Sequence, residues 1–116
     1  MKILIVEPGK HPRTAHIDGS LKSMQETVGG YIQAIYPFDD PVAIVCDEEG
    51  LFKDTAWNRY ICEGCAIKGT FFICGLGEED FTDIPDALIE KYNARFYKPE
   101  EFIHTAQGIR VIRLPL

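Results

Sequence analysis

The segment C-E-G-C, Cys62 to Cys65, is the part of the chain whose residue types and spacing come nearest to a chemical site. Two thiols separated by two residues have the ligand spacing of half a zinc knuckle, and Cys46 and Cys74 can complete a four-thiolate tetrahedron around zinc. The second half does not repeat the spacing, however. Cys46 and Cys74 each sit alone inside an apolar run, where a cysteine ordinarily serves as a small hydrophobe. A redox pair is weaker still, because C-E-G-C neither follows an evident strand nor opens a helix, the placement that lowers a thiol pKa. The preferred reading has no cofactor and treats the cysteines as packing. Its alternative is a small zinc-stabilised domain using Cys46, Cys62, Cys65 and Cys74.

Other candidate chemistry is thinner. Gly75-Leu-Gly77 after T-F-F-I-C resembles a phosphate-binding turn, but it lacks a third glycine, and Glu78-Glu79-Asp80 would repel an anion there. A glycine turn followed by a self-capped helical turn fits better. Asp47-Glu48-Glu49 places three carboxylates side by side, whereas calcium loops alternate them so that they converge, so a solvated hairpin tip is expected. His11, His16 and His104 fall in separate segments, and no nucleophile stands at a spacing that implies a base beside it. No catalytic residue is assigned.

Composition narrows the classes. The chain has 116 residues, 46% of them hydrophobic and 26% charged, an ordinary globular balance for one α+β domain spanning 1–116. The net charge of −6 has the wrong sign for binding nucleic acid through its phosphates. An acidic surface that mimics nucleic acid is an alternative, although 12 basic residues dilute the 18 acidic ones. After Lys2 only four apolar residues precede Glu7, too few for a membrane span or a signal-peptide core. A cytoplasmic protein with reduced thiols is therefore expected.

The elements that would position these residues follow from patterning. Lys2 to Glu7, Arg13 to Ile17, Tyr31 to Tyr36, Val42 to Cys46, Thr70 to Cys74 and Gly108 to Leu114 read as strands. Leu21 to Val28 is a helix begun by Asp18-Gly19-Ser20 and ended by Gly29-Gly30. A second helix, capped by Thr82 or Asp83 and stopped at Lys98-Pro99, carries the stripe Ile84, Leu88, Ile89, Tyr92 and Phe96. Leu51-Phe52-Lys53 is expected as a short antiparallel return. Asp54 to Tyr60 is expected as a helical turn that carries Trp57 into the core. The sum is an α+β fold with a mixed, largely antiparallel sheet and two main helices.

Three segments, L-K-S-M-Q-E-T-V-G-G-Y-I-Q-A-I-Y-P-F-D-D, A-I-V-C-D-E-E-G and G-T-F-F-I-C-G-L-G-E-E-D-F, resemble a domain-of-unknown-function family of small proteins from bacteriophages, conjugative elements and gut Firmicutes. Leu21, Gln25, Val28, Gly29, Gly30, Tyr31, Ile32, Glu49, Gly50, Asn58, Gly69 and Gly75 match its pattern. The resemblance places C-E-G-C where members vary, and it implies no activity. It implies a non-enzymatic binding protein in a bacterial host, acting on a host protein or a small ligand. Gln25, Tyr31, Glu49 and Asn58 are the candidate binding residues, being polar or aromatic groups at matching positions.

Overall fold

In the computed structural model, which describes residues 1–116, the elements run in chain order as β1 (Lys2–Val6), β2 (Arg13–His16), α1 (Leu21–Val28), β3 (Ile32–Ile35), β4 (Val42–Asp47), β5 (Trp57–Cys62), β6 (Cys65–Lys68), β7 (Phe71–Leu76), β8 (Phe81–Thr82), α2 (Asp86–Phe96), β9 (Glu100–Thr105) and β10 (Gly108–Arg113). The continuous apolar runs K-I-L-I-V, V-A-I-V-C-D and F-F-I-C-G-L become the central strands of a sheet ordered β2-β1-β7-β4-β3, with β8 also paired to β7. Runs without polar alternation are buried on both faces, and each face here has its own cover. Leu4, Ile73, Ile44 and Ile35 lie in one cross-strand row, and Ile5, Phe72, Val45 and Ala34 lie in the next row on the opposite face.

The first face packs against Ile84, Tyr92 and Phe96 of α2 and its approach, together with Ile61 and Ile67 of the β5–β6 hairpin. The second face packs against Met24 and Val28 of α1. Ser20 caps α1 by accepting from the Ser23 amide at 3.1 Å, and Gly29 ends it at φ 87°, a left-handed conformation that glycine enters without a Cβ clash. The fold is α+β, and every strand pairing is antiparallel. No helix is long and apolar enough to cross a membrane.

Four local expectations are corrected. Gly50–Phe52 is a 3₁₀ turn rather than an antiparallel return, and it leaves Phe52 90% exposed. Residues 57–62 form β5 rather than a helical turn, because Asn58 and Arg59 satisfy their polar groups inside the fold and sit there as core residues. Trp57 is accordingly half-buried at the strand's start, stacked on Phe102 with ring centroids 5.3 Å apart. Glu78 to Asp80 bend into β8 instead of making a helical turn. Neither Thr82 nor Asp83 caps α2. Pro85 holds that position, and the Asp83 carboxylate accepts from the Lys2 amide at 2.8 Å. Strand β9, which the E-E-F-I-H-T sequence conceals behind its charges, pairs with β10 along its full length.

Candidate functional site

The strongest polar constellation is centred on Asp47, the last residue of β4, and on Lys53, which follows the 3₁₀ turn. Asp47 Oδ2 accepts from Lys53 Nζ at 2.5 Å, and its Oδ1 accepts from the Glu49 amide at 3.0 Å. Lys53 Nζ also donates to the Gly29 carbonyl at the end of α1, 3.1 Å away. That carbonyl is one of the unpaired acceptors every helix leaves at its C-terminus, so a cation there is doubly favoured. The Asp47 side chain is only 7% exposed, which corrects the expectation of a solvated hairpin tip for this residue, while Glu48 and Glu49 are exposed.

Gly30 leaves room for this pair, and Gly50 leaves room for the backbone beside it. A Cβ on Gly30 would lie 2.6 Å from Asp47 Oδ1 and 2.7 Å from Lys53 Nζ, and one on Gly50 would lie 3.2 Å from the Lys68 carbonyl. The pair opens onto a cleft of about 380 Å³, where Lys53 and Lys68 are joined by Thr27, Thr55 and Thr70, with the Glu26 carboxylate also on its wall. Lys68 Nζ donates to the Lys53 carbonyl at 3.1 Å and lies 5.3 Å from the centroid of the Trp57 ring. It enters none of the molecule's ion pairs.

Three of the family-like positions meet at this cleft although they span more than 40 residues of sequence, and others stand next to it. Val28, Gly29 and Gly69 line it, Gly30 and Gly50 flank the Asp47–Lys53 pair, and the Tyr31 carbonyl accepts from the Glu48 amide at 2.8 Å. Asn58 secures the floor. Its side-chain amide donates to the Val6 carbonyl at 2.9 Å and the Gly69 carbonyl at 2.8 Å, while its Oδ1 accepts from Arg59 Nη1 at 2.9 Å. With both protons engaged and no exposure, the Asn58 amide has no donor to offer a ligand. Among the other sequence candidates, Tyr31 is 68% exposed, Glu49 is exposed and Gln25 is half-buried. They lie on neighbouring elements and do not line the cleft.

Lys53, Lys68 and Arg59 escaped sequence reasoning, which met Asp47 only as one of three adjacent carboxylates. No local signal marks them, since Gly30 lies far from Asp47 in sequence and Gly50 stands between Asp47 and Lys53 as an ordinary turn residue. Arg59 is fully buried and replaces a carboxylate partner with carbonyls, donating to Phe96, Lys10 and Asn58. Burial pulls its pKa down, and the nearby Glu100 carboxylate opposes that shift.

The cysteines do not surround one point. Cys46 packs on the α2 face of the sheet and Cys74 on the α1 face, so the sheet itself separates them. Burial pushes their thiols up to about 11 and about 12. Cys62 and Cys65 are register partners across the tip of the β5–β6 hairpin, with Cys62 exposed. Nowhere do three His, Cys, Asp or Glu side chains gather in an arrangement able to hold a metal ion. His11 stacks on Tyr97 at 4.1 Å, His16 lies on β2 and His104 on β9.

No curated protein and no solved structure matches the chain. The model of the family described as Domain of unknown function (DUF3846) matches residues 1–97, which carry the cleft and all of its lining, and the chain belongs to that family.

Proposed function

We propose that this is a non-enzymatic binding protein whose polar cleft takes a small anionic ligand. The observation that carries the reading is Lys68, a half-buried ammonium in a cleft with no carboxylate within ion-pairing distance. A cation in such a place gains from an anion more than a fully solvated lysine does, because the surrounding protein screens less than water. Lys53, paired with Asp47, contributes position and a remaining donor proton. The threonine hydroxyls supply neutral hydrogen bonds, and a pocket with few polar groups of fixed placement is what orients a small ligand. The resemblance to proteins of phages and conjugative elements supports a setting in the cytoplasm of a bacterial host.

Thermal unfolding in the presence of inorganic phosphate, succinate or adenosine monophosphate tests the reading. At least one of these is expected to raise Tm in a saturable way, and Lys68→Met is expected to remove that rise, measured from the variant's own unliganded Tm. If none of the three raises Tm at millimolar concentration, or if Lys68→Met responds as the parent does, the cleft is not an anion site.

A further inference from the structure

Strand β10 has a partner on one side only, β9, and each of its residues is exposed. The Leu114 amide donates to the Pro99 carbonyl at 2.8 Å, which sets the phase of the ladder. Bonded and non-bonded pairs alternate in an antiparallel ribbon, so the amides and carbonyls of Ile109, Val111 and Arg113 point to the open edge. A free edge of this kind is a template for a further strand.

The side chains of the same three residues share one face of β10, and two different environments adjoin them. Ile109 and Val111 join Leu51, Trp57, Tyr60 and Phe102 in an apolar groove of about 280 Å³. Arg113 joins Arg95 and Lys98, with Asn93 and Tyr97, in a cavity of about 510 Å³ that no carboxylate lines. The Glu100 carboxylate approaches Arg113 Nε at 3.6 Å, and the rest of that guanidinium remains open, with the side chain 63% exposed. Three cations around one cavity are unexpected on a chain of net charge −6. None of these residues lines the polar cleft.

We infer that β10 docks an extended acidic segment of a partner protein, added antiparallel as a strand, with an acidic residue opposite Arg113 and apolar residues two and four positions later opposite Val111 and Ile109. Main-chain bonds to the open edge supply attachment. The groove selects apolar side chains at alternate positions, and the cationic cavity fixes direction by charge complementarity. The aromatic residues in the groove are of the types that anchor protein interfaces. Nucleic acid suits the cations but provides no strand for the edge, and the molecule's overall negative charge opposes it.

The test is fluorescence anisotropy with a labelled decapeptide built on Asp-Thr-Val-Thr-Ile and the 116-residue chain. Saturable binding is expected, together with loss of binding when alternate peptide amides on the bonding edge are N-methylated. Arg113→Glu is expected to weaken binding by about tenfold, as is exchange of the peptide's aspartate for lysine. Val111→Pro should weaken it similarly, since that amide faces away from β9 and its removal costs no existing ladder bond. Melting curves establish that both variants are folded, and the N-methylated peptide needs no change to the protein. Absence of binding by the parent peptide, equal binding of the lysine or N-methylated peptide, tighter binding of a single-stranded oligonucleotide, or edge occupancy by a second copy in sedimentation would each overturn the inference.

Discussion

Arg59 holds the last residue of α2 to the β5–β6 hairpin by donating twice to the Phe96 carbonyl, from Nε at 3.1 Å and from Nη2 at 2.9 Å. The same guanidinium reaches the Lys10 carbonyl at 2.6 Å, so one side chain ties a helix end, a strand and the β1–β2 loop. A positive group at a helix C-terminus also meets the negative end of the helix dipole. The desolvation of a buried cation is thus offset without a bound carboxylate.

Arg59→Met should therefore lower stability by about 3 kcal/mol or more, because it strands several buried carbonyls rather than one. Arg59→Lys should be intermediate, since a single ammonium cannot present the planar fork that reaches carbonyls on separate segments. Urea denaturation of the two variants checks the order. Equal stability of Arg59→Met and the parent would show that the carbonyls find other partners.

Glycine substitutions separate the fold from the cleft. A Cβ on Gly75 would sit 2.3 Å from the Asp83 carbonyl oxygen and 3.1 Å from its carbon, both backbone atoms that can move only with their segment. Gly75→Ala should cost about 3 kcal/mol, at the upper end of overpacking effects. At Gly30 the obstructing atoms are the ends of the Asp47 and Lys53 side chains, which can swing aside. Gly30→Ala should cost about 1 kcal/mol, as for a mild overpacking, yet it should break the 2.5 Å pair and reduce the anion response of the cleft. Paired measurements of Tm with and without phosphate distinguish the two.

What the sequence made legible was whatever its pattern encodes locally. The three central strands are uninterrupted apolar runs, and α1 carries both its start and its stop in S-L-K-S and V-G-G. Strand β5 was hidden because Asn58 and Arg59 are polar residues placed in the core, and only distant carbonyls from Val6, Lys10, Gly69 and Phe96 make that placement possible. The cleft was hidden for a related reason. Asp47 reads as one of three acids on a turn, and nothing local distinguishes it from Glu48 and Glu49 until Lys53 and the Gly29 carbonyl come into reach. Long-range polar satisfaction leaves no periodic trace in a sequence.

Thiol reactivity should divide the cysteines by position. Cys74 and Cys46 lie under opposite covers of the sheet with thiols raised to about 12 and about 11, so little thiolate exists at either below those values. Burial also raises Cys65, as does the neighbouring Cys62. Exposed Cys62 should be alkylated first by iodoacetamide at pH 8, Cys65 more slowly, and the other two only after unfolding. Peptide mapping after a timed reaction gives the order. Early modification of Cys74 would contradict its place beneath α1.

Acid sensitivity should trace in part to Asp40, in the turn between β3 and β4. Its Oδ2 accepts from Lys91 Nζ at 2.6 Å and from the Tyr92 hydroxyl at 2.6 Å, and these bonds hold its carboxyl below the ordinary range. Burial and the Asp40 carboxylate together raise the Tyr92 hydroxyl, which therefore stays a donor across the physiological range. Because the folded-state pKa is depressed, the unfolded chain takes up the proton first as pH falls. The contribution of Asp40 is complete above about pH 5, declines as pH drops through about 4, and is gone once both states are protonated. Asp40→Asn keeps an acceptor for Tyr92 but cannot titrate, so its Tm should be lower than the parent's at pH 7 and should fall less between pH 5 and the acid limit. Parallel Tm–pH curves for the two proteins would remove Asp40 from the account and leave the acid limb to other carboxylates held low by hydrogen bonds, Asp18 and Asp86 among them.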